Sequence, residues 1–120
     1  MDKRESAFLK IFEAEFNADI LTDENDDSSA VKTAIAVFEN KEIIDEKIKT
    51  GLKSWDINRV SRVAKAALRL CLHEILFKKV PQGASVNEAV NITKKYAGDE
   101  DADFVNGVLR AILKCEEVQK

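Results

Sequence analysis

His73 and Glu74 form the one histidine–acid pair in the sequence. Such a pair could act as a general base with its orienting carboxylate, or supply metal ligands. The surrounding CLHEIL is not HExxH, so the second histidine one helical turn on that a single-helix zinc site needs is absent. There is no glycine-rich phosphate loop and no GxSxG. Cys71 and Cys115 occupy apolar helical positions with neither CxxC nor zinc-ligand spacing, the pattern of two buried free thiols in a reducing compartment. These residues point away from catalysis, a metal or an organic cofactor. His73 is expected towards the polar side of its helix.

The cations are more informative. Net charge is −3, but it is divided unevenly. Residues 1–52 carry 7 basic and 13 acidic side chains, residues 53–98 carry 9 and 3, and residues 99–120 carry 3 and 6. An acidic chain with a basic middle can still present a local surface to a polyanion. Arg59, Arg62, Lys65 and Arg69 recur at spacings of three, three and four, so they share one helical face. That face is either solvated or in contact with phosphates, which requires only positive charge in register. Arg69, deepest in the apolar run, could instead hold a buried carboxylate. Lys3 and Arg4 stand in the first turn of a helix, where cations oppose the dipole, a mismatch that an anionic partner would explain. Lys94 and Lys95 close a helix, where cations suit the dipole.

DFVNGVLR, residues 103–110, interrupts an apolar stripe of Phe104, Val105, Val108, Leu109, Ile112 and Leu113 with Asn106 and Gly107. A glycine inside a helix costs roughly 1 kcal/mol against alanine. A close-packed neighbour at Gly107, and amide contacts made by Asn106, would explain that cost.

These groups need helices to hold them. Four glycines, one proline and no strand-like alternation favour an all-α fold, a compact bundle of six or seven helices in a single domain over 1–120. The first helix is expected over Lys3–Phe16. The second is capped from Asp26-Asp27-Ser28-Ser29, runs to about Asn40, and buries Val31, Ala34, Ile35 and Phe38. The third spans about Glu42–Lys53, burying Ile44, Ile48 and Leu52 with Ile43 beside them. The fourth runs unbroken from near Asp56 to about Lys78, on a stripe from Val60 through Val63, Ala64, Ala67, Leu68 and Cys71 to Ile75. Ser85 and Glu88 spell a capping box for the fifth, which ends near Tyr96 with Gly98 at its stop. Asp99, Glu100, Asp101 and Asp103 suit the start of the last. No segment has the length and apolarity of a signal peptide or membrane span.

From Trp55 onward the order of residues is specific. Trp55 with Arg59, Ala67-Leu68-Arg69-Leu70, Glu74, Val80-Pro81, Val86-Asn87-Glu88-Ala89-Val90, Lys94 and Phe104-Val105-Asn106-Gly107-Val108-Leu109 together resemble the bacterial NusB family closely. Arg4-Glu5 and Ala7-Phe8 fit its N-terminus more loosely, and residues 17–53 fit weakly. The resemblance implies two small helical sub-bundles packed together, about 1–53 and 54–120. It implies a cytoplasmic transcription antitermination factor that catalyses no reaction. Such a factor pairs with NusE, also a small-subunit ribosomal protein, and binds boxA RNA. It thereby helps the transcription elongation complex resist termination in ribosomal RNA operons. A homodimer is left open.

Charge placement and the resemblance together give expected RNA contacts at Lys3, Arg4, Lys10, Lys94, Lys95, Asn106 and Arg110, and the resemblance implies a protein-partner contact at Glu74. The chain departs from the family where several N-terminal arginines are usual and only Lys3, Arg4 and Lys10 stand. Arg110 follows FVNGVL where an acid is common, and His73 replaces a common tyrosine. The alternative reading is a module for protein contacts with weak or no RNA binding. A NusB-like domain that precedes a ribosomal RNA cytosine methyltransferase would need a catalytic domain, for which 120 residues leave no room.

Overall fold

In the chain's computed structural model the described residues are 3–17, 19, 21, 28–52 and 56–118, the last four as backbone only. Local caps set the helix limits. α1 is Lys3–Phe16. Ser28 caps α2, Ser29–Glu39, by accepting from the Val31 amide at 3.3 Å. Asn40 closes α2 and its carbonyl accepts from Ile44 at 3.0 Å, so α3, Lys41–Leu52, follows at once. A single 3₁₀ turn, Ile57–Arg59, precedes α4, Arg62–Phe77. α5 is Gln82–Ala97 and α6 is Asp99–Val118. Gly98 makes the stop between them at φ +95°, a conformation that favours glycine. Among the described residues there is no strand.

α4 is the central element. It touches α1, α2, α3, α5 and α6, and every residue from Ala64 to His73 is buried. A helix covered on all sides has no solvent face. α1 and α2 pack together on one flank, α3 lies against α6 and α4, and α5 and α6 pair as a hairpin about Gly98. Phe8, Ile11, Val37, Ile44, Ile48, Leu68, Leu109 and Ile112 join in one core drawn from α1, α2, α3, α4 and α6, which Ala89 and Ile92 of α5 complete.

Several expectations are corrected. The fourth helix does not begin at Asp56. The chain is extended at Val60, and Ser61 caps α4 through the Ala64 amide at 3.1 Å while donating to Asp101 Oδ2 at 2.7 Å. In α2, Ala30 and Val37 are buried while Ile35 and Phe38 are only partly so, and Ile43 on α3 is 54% exposed. His73 is buried, not polar-facing, because α4 is covered on every side from Ala64 to His73. The capping box fails: Pro81 takes the N-cap position, so α5 begins a turn earlier and Ser85 falls on its buried face. Gly107 meets no packed neighbour, since a Cβ there would have nothing within 4 Å. The close approach belongs to Gly51 on α3, where a Cβ would lie 2.6 Å from both Ile112 Cγ1 and the Val108 carbonyl oxygen on α6. Trp55, Asp26 and Asp27, and the side chain of Cys115, lie outside the described residues.

Candidate nucleic-acid and partner interface

The four-cation stripe splits in two. Arg69 is 3% exposed and grips Asp45 of α3 with two bonds, Nε to Oδ1 at 3.0 Å and Nη2 to Oδ2 at 3.1 Å. Its Nη1 donates to Glu15 Oε2 of α1 at 2.6 Å, and Lys65 Nζ reaches Glu15 Oε1 at 3.3 Å. Burial works to raise the Glu15 pKa, but Arg69 and Lys65 together outweigh it and hold the carboxyl below its usual range. These two cations clamp α1 and α3 onto α4. Arg59 and Arg62 remain exposed, and Arg62 lies over the Phe16 ring at 4.3 Å.

Arg4 and Glu74 meet at 2.8 Å, Nε to Oε2, with Glu88 Oε2 3.9 Å from Arg4 Nη1. Ser85 Oγ lies 2.8 Å from Glu74 Oε1 and 3.3 Å from the Cys71 carbonyl. Both carboxylate oxygens of Glu74 are therefore engaged within the chain. Burial pushes the Cys71 thiol up to about 11, which leaves it protonated and a poor nucleophile. His73 has a buried Nδ1 without a partner, and its ring lies tilted by 34° to that of Phe77, 5.6 Å between centroids. Burial, then Lys78, lowers its pKa against a smaller opposing pull from Glu74, so the ring is neutral at pH 7. His73 lines an open depression of about 530 Å³ together with Lys3, Arg4, Thr33, Lys78 and Glu88.

The other lysines carry surface pairs. Lys95 meets Glu5 at 2.8 Å, Lys94 meets Asp99 at 3.5 Å and Lys10 meets Glu13 at 4.0 Å. Exposed pairs of this kind contribute about 0–1 kcal/mol and exchange readily.

Asn106 and Arg110 stand apart from these, across α5. Asn106 Oδ1 accepts from Arg110 Nε at 3.2 Å. Both line a second hollow, a groove of about 720 Å³ between α5 and α6. Val86 and Val90 line it from α5. Gln82, Gly83 and Asn87 continue the α5 side, Leu113 and Lys114 the α6 side. Among the described residues the lining contains amides, cations and aliphatic carbon but no acid. Gln82, Asn87 and Lys114 were not among the expected site residues. The signal for the α5 pair was present: no acid occurs between Glu74 and Glu88. The expected RNA set thus divides between the α1 side of α5, with Arg4 and Lys95, and the α6 side, with Asn106 and Arg110.

This geometry has known relatives. The family model described as "NusB family" matches residues 1–114. The transcription antitermination protein NusB of Clostridium botulinum strain Hall is 51% identical over 78 residues, 64% of this chain and 54% of that protein. The NusB of Clostridium tetani is 43% identical over 93 residues, 77% of this chain and 61% of that protein. The matched stretch therefore spans little more than half the length of these relatives. Among solved structures, T. maritima NusB is 32% identical with a TM-score of 0.79, covering 95% of this chain and 92% of that one. A chain in the crystal structure of the antitermination factors NusB and NusE in complex with dsRNA is 29% identical with a TM-score of 0.77, covering 94% of each. A family match over nearly the whole sequence and an all-helical fold shared with solved NusB structures lead to one conclusion: the chain belongs to the NusB family.

Proposed function

We propose that this chain is a cytoplasmic transcription antitermination factor that binds boxA RNA together with NusE in support of ribosomal RNA operons, and catalyses no reaction. The observation that carries this reading is the groove of amides and cations between α5 and α6, lined by Gln82, Asn87, Asn106, Arg110 and Lys114. It occurs in a fold like that of a protein solved with NusE and dsRNA. Cations supply phosphate contacts and amides supply base-edge contacts, the two components of specific RNA binding. Asn106 and Arg110 act from the groove. Lys3, Arg4, Lys10 and Lys95 act from the α1 side and Lys94 from the last turn of α5, and the surface pairs of Lys10, Lys94 and Lys95 are weak enough to be exchanged for a phosphate. Glu74 belongs to the NusE contact, held in place by Arg4 and Ser85.

The test is RNA binding with and without NusE, comparing boxA with a scrambled sequence. Preference for boxA that strengthens with NusE is expected. Replacing Lys3 and Arg110 together by alanine should lower the slope of log affinity against log salt by ~1–2, at ~0.7–0.9 per phosphate contact. Equal binding of both RNAs, unchanged by NusE, would overturn the reading. A second reading, a protein-contact module with weak or no RNA binding, draws on the carboxylates already paired with Lys10, Lys94 and Lys95. An unmeasurable RNA affinity alongside intact NusE association would favour it.

A further inference from the structure

We propose that the α5–α6 groove receives one unstacked base of the bound RNA, with Gln82 and Asn87 reading its edge and Arg110 and Lys114 holding the flanking phosphates. This inference rests on the RNA-binding reading and deepens it. The groove is an open surface hollow of about 720 Å³, roomy enough for a single base. Its apolar surface comes from Val86 and Val90 on one wall and Leu113 on the other, all only partly buried by the chain itself. Aliphatic walls of this kind can cover the two faces of a flat ring and remove it from water.

The polar groups decide what the ring is. Asn87 and Gln82 are exposed, and each presents an amide with two donors and two acceptor lone pairs. That combination matches the mixed donor–acceptor edge of a base, which unpaired RNA displays on its Watson–Crick and Hoogsteen sides. An acidic peptide, the other occupant that two cations would suit, could also meet the amides through its backbone, but only a nucleotide joins a phosphate to a flat ring in every unit. Arg110 is held through Nε by Asn106, so its terminal nitrogens are pre-aimed for two-pronged contact with a phosphate. Lys114 adds a second charge one helical turn on. Gly107, next to Asn106 in sequence, leaves open space over the α6 backbone, with nothing within 4 Å of where a Cβ would stand.

The experiment uses the full chain with NusE and a set of boxA RNAs, each with a different nucleotide made abasic. Asn87→Ala and Gln82→Ala are measured against every RNA, with circular dichroism to confirm folding. Wild type should lose roughly 5- to 100-fold in affinity at one particular position, the cost of a lost base-edge contact. Asn87→Ala should weaken intact boxA yet cost little further on that same abasic RNA, while remaining additive with every other position. Additivity at all positions, or unchanged affinity in both variants while wild type binds boxA, would overturn the seated base alone. Failure of wild type to bind boxA would overturn the RNA reading and this inference with it.

Discussion

Substituting alanine at two helical glycines should change stability in opposite directions. At Gly107 a methyl group would project into open space, with nothing within 4 Å. The substitution then gains only helix propensity, ~0.8–1.0 kcal/mol, with no packing cost. For a domain of this length that corresponds to a rise in Tm of roughly 3–6 °C. At Gly51 the same methyl would sit 2.6 Å from Ile112 Cγ1, 2.6 Å from the Val108 carbonyl oxygen and 3.2 Å from Val108 Cγ1. Ile112 could change rotamer, but the carbonyl is helix backbone and cannot move without shifting α6 against α3. Overpacking costs typically ~1–3 kcal/mol, enough to exceed the propensity gain. Urea melts of both variants, with the slope held in common, provide the comparison. Stabilisation of Gly107→Ala beside destabilisation of Gly51→Ala is expected. A destabilised Gly107→Ala would mean that α6 has a close neighbour at that point, and the account of which helix face is open would fail. RNA titration of the stabilised variant then reports separately on whether the ligand needs bare backbone there.

Arg69→Met should destabilise by about 3–5 kcal/mol, because it strands Asp45 and Glu15 without their main counter-charge, and a melt within 1 kcal/mol of wild type would contradict the clamp. Acid should act in two steps. The folded His73 pKa is lowered from 6.5, so the unfolded chain protonates there first and stability falls once pH drops below about 6.5. Glu15 is lowered from 4.5, so its stabilisation is present above that value and is lost as pH falls through the folded pKa. His73→Gln should abolish the upper step in a plot of urea midpoint against pH and leave the lower one; an upper step that persists would refute the assignment.

Local signals were read correctly wherever the cause lies within a few residues. The limits of α1, the glycine stop at Gly98 and the buried row Ile44, Ile48 and Leu52 all follow from spacing and caps. The failures share one physical origin: spacing tells which residues lie together on a face, but not what covers that face. The apolar stripe runs on through Val60, so nothing in periodicity marked the break that Ser61 makes by capping α4 and reaching Asp101, 40 residues on. Ser85 and Glu88 satisfy a capping pattern, yet Glu74, across the turn between α4 and α5, takes the serine hydroxyl into the interior instead.

The cation stripe shows the same limit most directly. Arg59, Arg62, Lys65 and Arg69 are equivalent by spacing, and a solvated face and a phosphate-binding face would produce the same pattern. What separates them is Glu15 and Asp45, which lie 50 residues from Lys65 and 24 from Arg69. Those acids arrive only because α1 and α3 both pack on α4, and a helix with neighbours on every side must neutralise its inward cations or lose them. The search for an RNA surface therefore moves off α4 to helices with an uncovered side. Among the expected RNA-binding residues, Lys3 is exposed on α1 and Lys94, Lys95 and Arg110 on α5 and α6, and the groove of amides and cations lies between these last two helices. Residue types name the groups able to meet a polyanion, whereas which of them the fold leaves accessible depends on which helix it buries.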